Sequence, residues 1–266
     1  MRALGPGSVL TALVLLAGGL AEASPLTPHR AVYDLALAPG SETLSSAQGR
    51  IAIEFYGSPC EGYTTRLRQV TALQGRETPS RTLDSNSATF EEADASVLRF
   101  RSETRADGIT LEEVEGSAER TDGETVIALD QPEDARLVVE GAPMFPTQHI
   151  VAMIETAQAG APLLATRVYD GTGDGRTVYD TLAILGRALP EGAADAVAAP
   201  LADLARWPVR LSYFEPGPGE RTPAYVIGFT LYENGVSSDL VFEFEDFTLT
   251  GRLSALELLE VVDCAL

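Results

Sequence analysis

The chain has 266 residues, with 19 basic and 39 acidic side chains and a formal net charge of −20 at pH 7. This charge disfavours nucleic acid and anionic membrane surfaces as partners, because most approaches meet electrostatic repulsion. Every basic residue is Arg, and the absence of Lys excludes Schiff-base and P-loop chemistry. With no Gly-rich phosphate loop either, we expect no cofactor and no nucleic-acid partner.

The first residues have the layout of a cleavable signal peptide. Arg2 precedes an apolar stretch at residues 9–20, and residues 21–23 (Ala-Glu-Ala) fit the small-x-small cleavage rule. We therefore predict a signal peptide at residues 1–23 and one exported domain at residues 24–266. The cleavage point carries no Cys for a lipid anchor. No later stretch reaches the roughly 20 apolar residues that a membrane helix needs, so no membrane span is expected.

The early part of the mature chain alternates apolar and polar side chains. Ile51, Ile53 and Phe55 share one face while Arg50 lies on the other, and residues 98–101 repeat the pattern. Such segments are typical of strands with one face on a core and one in water. Many of them, separated by short Gly- and Pro-containing turns, predict an antiparallel meander that is closed or curled to protect its edges.

One amphipathic helix is predicted in this β-rich sequence. Thr147 is a candidate N-cap after Pro146, and Gly160 would end the helix. The apolar stripe consists of Ile150, Val151, Ile154 and Ala157. A lone helix of this kind commonly covers an open sheet. A weaker helical segment at residues 193–205 is broken by Pro200 and is interpreted as a loop with some helix.

An Asp-rich stretch at residues 166–180, TRVYDGTGDGRTVYD, could in principle bind a cation. Asp170, Thr172 and Asp174 match positions 1, 3 and 5 of a calcium-binding EF-hand loop, but Thr181 stands where the bidentate Glu is required. The flanking segments also look like strands rather than helices. Asp170 and Asp174, with Asp180, therefore remain only weak metal candidates, and no metal site is predicted.

The same stretch could supply a pair of catalytic carboxylates, but a solvated Gly-rich turn offers no burial to raise the pKa of an acid. Strand-like residues 163–169 and 177–185 flank it. Asp and Gly residues between two strands support a tight connection. We therefore interpret the stretch as the turn of a β-hairpin.

Histidine and tryptophan offer few other candidates for chemistry. Ser-His-Asp catalysis would use His149 or His29, but neither is accompanied by a G-x-S-x-G elbow. We expect His149 to be a partly exposed residue in the first turn of the helix, and Trp207 to belong to the core. No catalytic residue is predicted. One alternative is a hydrolase that uses His149 or the carboxylates of residues 170–180. A structure that separates these two places, with no pocket at either, would remove that alternative.

The C-terminal part holds the strongest hairpin signal. Asn234 and Gly235 lie between two strand-like segments, and both tolerate the positive φ that a type I′ turn requires. Leu240, Phe242 and Phe244 follow on one face of the second strand. The sequence does not distinguish whether this face lines a core or a cavity.

The two cysteines, Cys60 and Cys264, lie near opposite ends of the mature chain. In an exported protein an even pair is first interpreted as a disulfide, with two free buried thiols as the alternative. Without neighbouring histidines, two cysteines cannot form a four-ligand zinc site.

Several segments together resemble one protein family. They are HRAVYDLAL, YGSPCEGY, FPTQHIVAMIETAQAG, VYDGTGDGRTVYDTLAILG, WPVRLSYF and the terminal VVDC. Their order and spacing resemble the EipB family of periplasmic cell-envelope integrity proteins of alphaproteobacteria, over essentially the whole mature chain. The resemblance implies a single-domain antiparallel β-spiral or half-barrel wrapped around one main helix, similar in outline to the lipoprotein carriers LolA and LolB. It also implies a disulfide between Cys60 and Cys264.

The resemblance further implies a periplasmic, non-enzymatic role in envelope integrity under stress, with a periplasmic tetratricopeptide-repeat protein as a functional associate. We therefore predict that the chain binds an envelope protein, a peptide, or a lipid or lipoprotein ligand on its curled sheet. The alternative is a periplasmic hydrolase of envelope glycan or peptide that uses carboxylates or His149. The ligand-binding residues are not identified by the sequence.

Overall fold

The structure, a computed structural model, describes residues 26–192, 196–219, 221–261 and 264. In these ranges the chain forms fourteen β-strands, one α-helix and one short 3-10 helix, and all fourteen strands belong to one antiparallel sheet. The predicted mainly β class is confirmed. The predicted signal peptide, residues 1–23, lies outside the described residues. No helix within the described ranges is long and apolar enough to cross a bilayer.

Eight strands precede the helix and six follow it. The first eight are β1 (His29–Leu37), β2 (Leu44–Ser58), β3 (Gly62–Gly75), β4 (Arg81–Glu91), β5 (Val97–Ala106), β6 (Ile109–Thr121), β7 (Glu124–Gln131) and β8 (Ala135–Glu140). After helix α1 (Pro146–Gln158) come β9 (Leu163–Val168), β10 (Tyr179–Leu185), β11 (Arg206–Phe214), β12 (Tyr225–Tyr232), β13 (Ser237–Glu243) and β14 (Thr248–Leu258).

The sheet consists of two meanders joined at its centre. Its strand order runs β8 to β1, then β14 to β9, so the first and last strands are neighbours. Their pairing extends from His29 opposite Leu258 to Leu37 opposite Leu249. Helix α1 connects the two outermost strands, β8 and β9. From β1 onward the chain therefore runs from the middle of the sheet to one edge, crosses over through the helix and returns to the middle.

The two edges approach each other at the start of the helix, so the sheet curls without closing. Met144 forms an isolated parallel bridge with Val168, and its carbonyl accepts a hydrogen bond from the backbone N–H of Tyr169 at 2.9 Å. The Arg167 guanidinium also donates to the Glu140 carbonyl at 2.8 Å. These contacts tether β8 to β9 at one point, although the two strands do not pair along their length.

Helix α1 begins two residues earlier than predicted. Phe145 is the N-cap and Pro146 the first helical residue, so the prediction of Thr147 as N-cap is wrong. Proline favours the first helical position because its φ is already suitable and no N–H is lost there. The other end matches the prediction, since the helix ends at Gln158 and Gly160 follows with φ +71°.

The start of the helix is capped by a carboxylate from a distant strand. Glu91, at the end of β4, accepts hydrogen bonds from the backbone N–H groups of Thr147 at 2.8 Å and Gln148 at 3.1 Å. Its side chain is buried, at 4% exposure. Burial raises the pKa of Glu91, and the two backbone hydrogen bonds only partly oppose that shift. Glu91 thus fixes the helix onto the first meander.

The Asp-rich stretch joins β9 to β10 in the predicted hairpin, whose strands pair from Val168 opposite Tyr179, but the connection is longer than a tight turn. Residues 169–178 form a longer loop that folds onto β5, β6 and β7, where Tyr169 and Val178 are buried in the same apolar cluster as Phe100. Gly171, at φ +70°, lies against the Phe100 ring, and Gly175, at φ +71°, lies against Val114. The prediction of a tight turn is wrong because tertiary packing, rather than turn chemistry alone, determines the loop.

The predicted hairpin around Asn234 and Gly235 is present, but its turn type differs. Gly235 has φ +87°, whereas Asn234 is not among the residues with positive φ, so the predicted type I′ turn is wrong. The Gly235 N–H donates to the Tyr232 carbonyl at 2.9 Å, and Asn234 Oδ1 accepts from the Val236 N–H at 3.2 Å. This pattern is that of a three-residue loop with a left-handed glycine in last place.

The weak helical segment predicted at residues 193–205 is largely a loop where the structure describes it. Residues 193–195 lie outside the described residues, and the rest of the segment contains only the 3-10 helix Ala199–Leu201.

The predicted disulfide is present. Cys60 and Cys264 are bonded, with their Cα atoms 5.9 Å apart. That bond ties the turn after β2 to the residues beyond β14.

Candidate functional site

The candidate site is an apolar cavity between helix α1 and the inner face of the curled sheet. Its volume is about 280 Å³, and a second cavity of about 140 Å³ beside it shares Tyr33, Ile53, Ile150 and Ser237. Small-molecule sites in proteins generally occupy about 300–1,000 Å³, so the larger cavity is just below that range.

Several apolar side chains on the cavity wall are only half-buried. They are Ile53 and Leu67 from the first meander and Ile227, Phe229 and Phe242 from the second. Strand alternation turns these side chains inward. Helix α1, however, makes its main strand contacts with β9 and β10, so it does not cover the opposite part of the wall. The predicted inward face containing Leu240 and Phe242 lines the cavity, and Leu240 is also buried in an apolar cluster of the sheet. Phe244 lies beyond β13 and is exposed.

His149 lines this cavity from the helix side. The prediction of a partly exposed His149 is wrong, because the imidazole is 3% exposed. The helix turns its His149 side toward the sheet together with Met153. His149 Nε2 is buried and has no hydrogen-bond partner among the described residues. Burial lowers the pKa of His149 to about 4, so the ring is neutral at ordinary pH.

Asp170 lines the same cavity from the start of the loop after β9. Its Oδ1 accepts hydrogen bonds from the backbone N–H and the hydroxyl of Thr172, at 3.0 and 2.7 Å. Burial raises the pKa of Asp170, and the bonds from Thr172 partly oppose that shift. The structure thus brings together two residues, His149 and Asp170, that the sequence analysis considered separately.

A cluster of three tyrosines lies close to Asp170. The rings of Tyr213 and Tyr225 are stacked with centroids 4.5 Å apart, and Tyr179 packs edge-on against both. Burial raises the pKa of each phenol, and the negative charge of Asp170 adds to the effect. The phenols therefore stay protonated at neutral pH.

Two further polar residues of the cavity wall are Tyr33 and Ser237. The fully buried Tyr33 donates its phenolic hydrogen to the Ser237 carbonyl at 2.7 Å, which links β1 to β13 across β14. No sequence signal marks these two residues, or Glu91, because their roles depend on the order of strands in the sheet.

The weak metal candidates do not converge. Asp174 Oδ1 accepts a hydrogen bond from the Arg176 N–H at 2.9 Å, and Asp180 forms an ion pair with Arg221 at 2.6 Å. In the part of the chain that the structure describes, no group of three or more His, Cys, Asp or Glu side chains is placed to hold a metal ion. The aspartates of the loop thus serve its local geometry.

The remaining candidates are buried at separate places. His29 is 6% exposed; its Nδ1 lies 2.8 Å from the Thr27 carbonyl, at hydrogen-bond distance, and its ring lies in the smaller cavity beside Phe55. Trp207 is 5% exposed and packs in the apolar cluster below the helix, as the prediction of a core residue requires.

Comparison with known proteins identifies relatives along nearly the whole chain. The EipB-like family model matches residues 20–260. The cell envelope integrity protein EipB of Brucella abortus (strain 2308) is 37% identical over 247 residues, which is 91% of this chain and 88% of that protein. A crystal structure of a β-barrel-like protein of a domain of unknown function, also from Brucella abortus, has a TM-score of 0.83 at 36% identity. That match covers 88% of this chain and 99% of the solved one.

The resemblance inferred from the sequence is therefore confirmed by both sequence and structure. The relative's name supports a role for this chain in cell-envelope integrity. With its open antiparallel sheet around helix α1, the chain belongs to the EipB-like family.

Proposed function

We propose that this chain supports the cell envelope by binding one acyl chain of a lipid or lipoprotein in the cavity beneath helix α1. The observation that carries the proposal is the half-buried apolar wall formed by residues such as Ile53, Phe229 and Phe242. Each methylene group of a ligand that is buried against these side chains contributes about 0.8 kcal/mol to the free energy of binding. An acyl chain supplies those groups in a linear array.

The setting of this binding is also part of the proposal. A role in the periplasm agrees with the disulfide, since such bonds persist in oxidising compartments. A carrier role of the LolA and LolB kind agrees with the open half-barrel outline. A periplasmic tetratricopeptide-repeat protein is proposed as a functional associate, and protection against envelope stress as the outcome. Affinity capture of the full-length protein from its own periplasm tests the associate.

A matched pair of Phe variants tests lipid binding. The protein is purified from its native host without detergent, and lipids extracted from it are identified by mass spectrometry. Phe229→Gln replaces a cavity wall residue, whereas Phe244→Gln replaces an exposed ring outside the cavity. We expect stoichiometric lipid on the wild type and Phe244→Gln, and a loss of most of it on Phe229→Gln. Absence of lipid from the wild type, or equal retention by both variants, contradicts the proposal.

The hydrolase stays as a second candidate because the condition that would remove it is not met. His149, Asp170 and Ser237 all line one cavity. Against catalysis, His149 Nε2 forms no hydrogen bond with Asp170 or Ser237, and a pKa of about 4 makes His149 a weak base. Release of products from isolated envelope glycan or peptide, abolished by Ser237→Ala, would favour the hydrolase.

A further inference from the structure

The cavity contains a buried imidazole nitrogen that nothing in the described chain satisfies. A buried polar atom without a hydrogen bond costs about 1–3 kcal/mol. His149 Nε2 is such an atom. The residue is 3% exposed and lines the cavity. In the tautomer that carries its proton on Nδ1, Nε2 is an acceptor, and a ligand that donates a hydrogen bond there removes the cost.

The second polar group in the cavity has the same preference for donors. A carboxylate accepts hydrogen bonds, and Asp170 uses Oδ1 for its recorded bonds to Thr172. No Arg is among the described residues that line either cavity, so an anionic head group would meet Asp170 without a compensating cation. The formal charge of −20 on the whole chain acts in the same direction.

The Tyr33 hydroxyl does not change this balance. Its hydrogen is already donated to the Ser237 carbonyl at 2.7 Å. The polar part of the cavity wall thus offers acceptors from His149 and Asp170, surrounded by apolar side chains. An ammonium group has three donors and a positive charge, which suits this combination better than a hydroxyl, and much better than a carboxylate.

We infer that the cavity selects a single-chain amphiphile with an ammonium end, which donates hydrogen bonds to His149 and Asp170 while its alkyl chain covers the apolar wall. The inference rests on the proposed function, since it assumes that the cavity holds an alkyl chain. A volume of about 280 Å³, just below the usual range for small-molecule sites, suits one chain rather than two.

The test uses three probes with the same chain and different ends: decylamine, decan-1-ol and decanoate. Their affinities for the delipidated wild-type protein are measured by titration calorimetry below the concentrations at which they form micelles. We expect decylamine to bind about tenfold or more tightly than decanol, because charge-assisted hydrogen bonds are roughly twice as strong as neutral ones. Decanoate should bind most weakly.

Three variants locate the selectivity and a fourth controls for surface charge. Asp170→Asn should lower the affinity for decylamine about tenfold and leave that for decanoate equal or higher. His149→Gln, which keeps an acceptor, should lose less than His149→Phe. Asp174→Asn removes an exposed carboxylate from the same loop and should change the decylamine affinity by less than about twofold. Circular dichroism and a melting curve verify that each variant is folded.

The outcomes separate the inference from the function beneath it. If none of the three probes binds, acyl-chain binding itself fails. If all three bind with equal affinity, or if decanoate binds as tightly as decylamine, the cavity holds a chain but the inference about its polar end is wrong. Equal losses with Asp170→Asn and Asp174→Asn would also overturn it, since they would indicate attraction to surface charge rather than a site.

Discussion

The packing of Gly171 leads to a quantitative prediction. A Cβ built on this residue would lie under 3.0 Å from atoms of the Phe100 ring, and the residue has φ +70°. A non-glycine residue in this left-handed conformation costs about 1–2 kcal/mol. Overpacking in a filled core adds about 1–3 kcal/mol. Gly171→Ala should therefore lower the free energy of unfolding by about 2–5 kcal/mol.

Gly173 provides a matched control in the same loop. Its φ is +62°, but the nearest atom to an added Cβ is the Tyr179 hydroxyl oxygen at 3.9 Å. Gly173→Ala thus carries the backbone cost of about 1–2 kcal/mol without the steric one. The difference between the two variants isolates contact with Phe100.

Urea unfolding measures both variants. Far-UV circular dichroism follows the sheet, and fluorescence of Trp207, the single tryptophan, follows the apolar cluster below the helix. Coincident curves from the two probes would justify a two-state treatment. If Gly171→Ala and Gly173→Ala destabilise the protein equally, within about 0.5 kcal/mol, the loop does not pack on Phe100 as described.

Three further predictions concern stability. Because burial raises the pKa of Glu91, its contribution to stability is greatest below about pH 4.5 and is lost as the pH rises through the folded pKa. Urea curves should therefore show the stability advantage of the wild type over Glu91→Gln shrinking over that pH range. An advantage that increases with pH would contradict the reasoning. Replacing Cys60 and Cys264 by Ser should cost about 2–5 kcal/mol, and dithiothreitol should destabilise the wild type but not this variant; an equal effect on both would refute the assignment. Tyr33→Phe leaves the Ser237 carbonyl without its donor and should lower the free energy of unfolding by about 1–3 kcal/mol, whereas an unchanged midpoint would show that the bond contributes nothing.

Local patterns in the sequence predict the strands well. The alternation at residues 51–55 and 98–101 reports directly which side chains face inward, because successive residues of a strand point to opposite faces. The helix is predicted from its own apolar stripe and from Gly160, which follows its end. These features depend only on neighbours along the chain.

Features that depend on distant residues could not be predicted. Glu91 caps the helix at Thr147, 56 residues later in the chain, and only the pairing of strands brings the two together. The loop at residues 169–178 has a composition equally suited to a tight turn, and its packing on Phe100 decides between the two. The exposure of His149 was predicted wrongly because a polar residue on a helix usually faces water. Here the side of the helix that carries His149 faces a cavity inside the curled sheet.

The position of β14 has a consequence for how the chain reaches its native state. This last strand lies between β1 and β13, so the centre of the sheet has a gap until the C-terminal residues are available. During synthesis from the N-terminus, the two meanders can form their hairpins early but cannot join. Truncation before Thr248 would leave two half-sheets with unpaired strands at their shared border, a form prone to aggregate through exposed edges.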